Sequence, residues 1–110
     1  AIAMKQLVEA DEFARVIALH TQGKEFYWGY DEIIPAFSER LNQKLIHVNS
    51  YRPVRLETCY AGFRDWFVKE YQKCGYTLEL GKGINPLPIS QLKEIKKDVF
   101  PMLDVFLSFW

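Results

Sequence analysis

Residues 54–75 read VRLETCYAGFRDWFVKEYQKCG, and the period of this stretch decides the expected fold. At 100° per residue Leu56, Cys59, Tyr60, Phe63, Phe67, Tyr71 and Cys74 fall within an arc of about 120°. Arg55, Thr58, Asp65, Lys69 and Lys73 fall opposite. The pattern predicts an amphipathic helix from Val54 to Cys74, closed by Gly75 as a left-handed cap. Gly62 costs such a helix about 1 kcal/mol relative to Ala.

On the C-terminal side, Tyr76 to Leu80 alternates and runs into Gly81-Lys82-Gly83, the pattern of a short strand ending in a turn. Residues 46–51, which also alternate, are its candidate partner. Asn85-Pro86-Leu87-Pro88 is a rigid connection, and Ser90 is placed to cap a last helix. In that helix Leu92, Ile95, Val99, Met102, Phe106 and Phe109 form one stripe. Phe100, Leu103, Leu107 and Trp110 form another, and a helix apolar on two sides must be covered on both. Pro101 removes one intrahelical bond and is expected to kink or divide the element near Lys97.

On the N-terminal side, Phe13, Val16, Ile17 and His20 recur at helical spacing behind Asp11 and Glu12, predicting a first helix that ends near Thr21. Lys24 to Tyr30 places four aromatics in a loop or short extended piece. Asp31 then reads as an N-cap for a second helix over about 32–45, striped by Ile34, Phe37, Leu41 and Leu45. The expected fold is mainly α, a small bundle of about four helices with at most a short two-stranded β element. An α+β arrangement is the alternative.

A chain of 110 residues supports one core, so residues 1–110 read as a single domain, with residues 1–3 before Met4 an expression remnant. The hydrophobic fraction of 49% and charged fraction of 25% exclude a disordered composition. Eight Phe, six Tyr and three Trp are many for so small a core, so a dense aromatic interior competes with an aromatic contact patch. The formal net charge of zero supplies no field toward nucleic acid or an anionic membrane. Residues 39–97 are nevertheless basic, with eleven cationic and six anionic side chains.

Cys59 and Cys74 would lie more than about 20 Å apart on a helix, too far for a disulfide. Two unpaired thiols fit a reducing compartment, and the cytoplasm is the expected location. No secretory leader pattern opens the chain, and the most apolar window, Val99 to Trp110, is too short to cross a bilayer.

Chemistry is sparse at this level. Two Cys and two His at scattered positions do not have zinc-ligand spacing, and neither a Gly-x-Ser-x-Gly elbow nor a family-type cysteine signature is present. His20 reads as a buried or helix-terminal histidine, His47 as a surface residue, and Gly81-Lys82-Gly83 as a turn rather than a phosphate loop. The leading expectation is a small non-catalytic, regulatory interaction protein with neither cofactor nor metal. It would bind a protein partner, or itself as a dimer, through Phe100, Leu103, Leu107 and Trp110, with Tyr27, Trp28 and Tyr30 as a second surface. One alternative is a nucleic-acid-binding regulator using Arg52, Arg55, Lys69 and Lys73. Another is a small-molecule-binding domain with an aromatic pocket of Tyr27, Trp28, Tyr60 and Trp66.

Overall fold

Val16-Ile17-Ala18-Leu19 is a short apolar run, a length that suits a buried strand as well as a turn of helix. In the computed structural model of the protein, which describes residues 2–55 and 62–109, it is strand. The described elements are α1 (Ile2–Ala10), β1 (Arg15–His20), β2 (Glu25–Trp28), α2 (Ser38–Val48) and β3 (Arg52–Arg55), then α3 (Phe63–Tyr71), β4 (Cys74–Glu79), a 3₁₀ turn (Ile89–Gln91) and α4 (Leu92–Ser108). The strands form one sheet in the order β1-β4-β2-β3. β1 is parallel to β4, β2 antiparallel to β4, and β3 parallel to β2.

The expected helical bundle is therefore corrected to a mixed α/β fold, with helices packed about a four-stranded sheet. The physical reason lies in the central strands. Covered on both faces, they lose the apolar–polar alternation that marks a half-exposed strand: Cys74, Gly75 and Tyr76 are buried in succession. The proposed first helix is β1, preceded by a helix over residues 2–10 that the periodicity did not single out. The strand expected at 76–80 exists as β4, but it pairs with β1 and β2, and residues 46–48 belong to α2.

The long helix over 54–74 is also corrected. Residues 52–55 are strand, Gly62 takes the N-cap position, and the helix closes at Gln72, left-handed at φ 52°, whose N–H donates to the Val68 carbonyl at 2.8 Å. Leu56, Cys59 and Tyr60 of the expected stripe lie outside the described residues. Gly75 is not a cap but part of β4. A Cβ there would lie 2.8 Å from Val68 Cγ2, so the missing side chain is what lets α3 seat against the sheet.

The second helix begins later than expected: Phe37, left-handed at φ 70°, takes the N-cap position instead of Asp31. Its Leu41 and Leu45 are buried as the stripe predicts, whereas Ile34 and Phe37 of the same stripe precede the helix and are exposed. α4 runs through Pro101 as one helix, with Ser90 in the preceding 3₁₀ turn. It buries Val99, Met102 and Phe106 while leaving Phe100 and Leu107 exposed. No described helix is long and apolar enough to cross a membrane.

Alternation across the strands divides the sheet into two faces. Phe26, Tyr76 and Leu78 point to the side of α2 and α4, where they join Leu41, Leu45, Tyr51, Val99, Met102 and Phe106 in the main core. On the opposite face, α3 buries Phe67 and Val68 and packs against β4 and β1. Beyond the N-terminal end of α3 no helix among the described residues covers that second face.

Candidate functional site

The open part of the second face forms a cleft of about 510 Å³. Its floor is two successive side-chain rows: Ala18, Thr77 and Tyr27 pair in register, and so do His20 and Glu79 one step further along. Its wall is the start of α3, with Gly62, Phe63, Arg64 and Asp65. His20 and Glu79 end their parallel strands, and the C-terminal edge of parallel strands is where α/β sheets bind ligands. The Leu80 N–H donates to the His20 carbonyl at 2.8 Å and fixes the two strand ends level.

The wall is held by a buried ion pair. Arg64, only 4% exposed, donates to the Asp65 carboxylate and to the Gly29 carbonyl. Asp65 Oδ2 reaches back to accept from the Gly62 N–H at 3.1 Å, which satisfies an orphan donor of the helix start. Burial pushes the Arg64 guanidinium down and Asp65 opposes that. The pair thus ties the β2 turn, the helix N-terminus and the cleft wall together.

The row of His20 and Glu79 extends across the whole sheet, because Glu79 is also in register with Glu25, and Glu25 with Arg52. Arg52 donates to Glu25 Oε2 at 2.9 Å, and the Tyr27 hydroxyl donates to Glu25 Oε1 at 2.7 Å. The Tyr27 and Arg52 bonds hold the Glu25 carboxyl below its ordinary range, while the bond to Glu25, with burial, pushes the Tyr27 phenol up to about 12. Burial raises the Glu79 carboxyl, with the Glu25 charge adding to the effect and His20 opposing it. The Glu79 carboxylate accepts no hydrogen bond from a described residue, and no three described His, Cys, Asp or Glu are gathered closely enough to hold a metal.

The residues singled out from the sequence are dispersed. Tyr27 lines the cleft, Trp28 packs against the main core, and Tyr30 is bonded through its backbone to Ile33. Leu103 packs against the core while Phe100 and Leu107 are exposed on α4, and Trp110 lies outside the described residues. Arg52 is bonded to Glu25, Arg55 donates to the Asp31 carbonyl at 2.6 Å, Lys73 reaches the Phe13 carbonyl at 3.3 Å, and Lys69 is exposed on α3. His20, Glu79 and Arg64 were not among the candidates. The spacing of Thr77 and Glu79 in an alternating run was the one available signal.

A mixed α/β sheet thus carries an ionisable row that opens on a cleft. No family model matches the chain. It is 40% identical over 108 residues to a gamma-D-glutamyl-L-diamino acid endopeptidase 1 of Lysinibacillus sphaericus, covering 98% of this chain and 26% of that protein. It is 48% identical over 96 residues to the uncharacterized protein YqgT of Bacillus subtilis (strain 168), covering 86% of this chain and 26% of that protein. The chain spans about a quarter of the length of the curated relatives it matches.

Proposed function

We propose that this chain is the cleft-bearing segment of a peptidase resembling the Lysinibacillus sphaericus enzyme, and that Glu79 is its general base. The observation carrying this reading is the placement of Glu79 and His20 side by side at the ends of two parallel strands, facing a cleft. Amide hydrolysis needs a water to lose its proton, and a carboxylate raised by partial burial is a stronger base than an ordinary one. His20 adds a nitrogen at the same height, a group that hydrolases use to move a proton or to hold a metal. The Arg64–Asp65 pair keeps the wall rigid beside them.

The test is a chimaera in which this chain replaces the matching segment of the Lysinibacillus sphaericus endopeptidase. Hydrolysis of a γ-D-glutamyl-L-diamino acid substrate is expected to persist, and Glu79→Gln is expected to lower the rate by a factor of about 10² to 10⁴. A folded chimaera without activity, or one indifferent to Glu79→Gln, rejects the reading.

A second role rests on α4. Phe100 and Leu107 are 56% and 71% exposed, an apolar face that suits contact with the remainder of a longer protein or with a partner. In this reading the chain itself contributes contact surface on one side of the sheet and chemistry on the other.

A further inference from the structure

The proposed hydrolysis leaves one carboxylate of the cleft face unused. Glu25 stands directly across from Glu79 in the antiparallel pairing of β2 and β4. Side chains so placed have Cβ atoms about 4.5–5.5 Å apart, and like charges in that position destabilise a sheet. Hydrogen bonds offset this at Glu25, where Arg52 holds one carboxylate oxygen and Tyr27 the other, while at Glu79 only the neighbouring His20 opposes it. Glu79 has no such anchor among the described residues. The groups facing it are His20 from β1, Glu25 and Tyr27 from β2, Arg52 beyond Glu25 on β3, and Arg64 with Asp65 from α3.

The geometry points to Glu25 as a positioning residue for Glu79: a carboxylate fixed by Tyr27 and Arg52, whose standing charge makes Glu79 the member of the row that takes up a proton. The direction of both titrations agrees. Glu25 is lowered by its two donors, and Glu79 is raised by burial first, with His20 opposing and the Glu25 charge adding to the rise. The inference rests on the reading of Glu79 as general base and deepens it, because the base strength is set from the neighbouring strand. A purely structural role for Glu25, as a partner of Arg52, would leave the Glu79 titration unmoved.

The experiment is carboxyl-carbon NMR titration of Glu25 and Glu79 in the 110-residue chain and in its Glu25→Gln variant. In the unaltered chain Glu25 is expected to titrate below Glu79. In Glu25→Gln the Glu79 midpoint is expected to fall by about 0.5–1 pH unit, the effect of one removed charge at this separation under partial solvent screening. Glu25 titrating at or above Glu79 in the unaltered chain overturns the inference without any variant. An unmoved Glu79 midpoint in Glu25→Gln overturns it too. An inactive chimaera with this coupling intact counts against the hydrolytic reading alone, and an active chimaera whose Glu79 ignores Glu25 counts against this inference alone.

Discussion

The His20 carbonyl accepts a hydrogen bond of 2.8 Å from the Leu80 N–H, so the last residues of β1 and β4 stand level, with the imidazole of His20 and the carboxyl of Glu79 on the same face. Residues far apart in the chain are joined there by the register of a parallel pair. The chemistry proposed for the cleft depends on that register, and so do the substitutions considered below.

Gly75→Ala is expected to destabilise the chain by about 1–3 kcal/mol, the usual cost of overpacking. The added methyl would meet Val68 Cγ2 at 2.8 Å and the Arg64 carbonyl at 3.4 Å, pushing α3 off the sheet. Urea unfolding measures the loss, and a companion Val68→Ala change should recover part of it.

Arg64→Met removes the cation of the buried pair but keeps much of its length. Asp65, 6% exposed, is left without its counter-charge, which costs about 3–5 kcal/mol when a buried pair is broken. Denaturant unfolding should register a loss of this size, and an unchanged midpoint would mean that the pair does not hold the wall.

Tyr27 should keep its proton until about pH 12, and Glu25→Gln should bring its midpoint back toward the ordinary tyrosine value. Ring-carbon NMR of labelled tyrosine reads both. Because the folded phenol titrates above the unfolded one, its contribution to stability is complete below about pH 10 and is lost as pH rises to about 12. Alkaline unfolding of the Tyr27→Phe variant should lack that component.

Phe100→Ser with Leu107→Ser should change the unfolding free energy by no more than about 0.5 kcal/mol, since both side chains are exposed. Met102→Ala on the same helix should cost about 2–5 kcal/mol, because Met102 is fully buried. If the exposed pair is a contact surface for another copy, sedimentation will show the double variant dissociating where the unaltered chain associates.

The sequence carried the helices better than the sheet. In α4 the stripe of Val99, Met102 and Phe106 is the stripe that is buried, and in α2 Leu41 and Leu45 play the expected part. β1 was misread because Val16, Ile17 and His20 satisfy a helical spacing by coincidence in a segment too short to contradict it. The stretch from 54 to 75 deceived for a different reason. A true helical stripe over Phe63 to Tyr71 extends by chance into strand at Cys74, and Gly75, which has the chemistry of a helix cap, serves instead as clearance for α3.

The cleft was less legible than the fold. Tyr27 was singled out for its ring rather than for its bond to Glu25, and His20 was taken for a helix-end residue. Glu79 and Glu25 gain their meaning from one another and from His20 and Arg52, and that row exists only once four strands have been ordered and registered. Non-local register of this kind leaves no local periodicity to read.

Along β4, Tyr76 and Leu78 look into the core while Thr77 and Glu79 look into the cleft. Neighbours in the chain are thus under separate obligations, one set to cohesion and the other to the lining of the cleft. Side chains on the cleft face can change without disturbing the interior, and a designer wishing to redraw the cleft would find Ala18 and Thr77 open to exchange, while Tyr27 stays as the donor that holds Glu25.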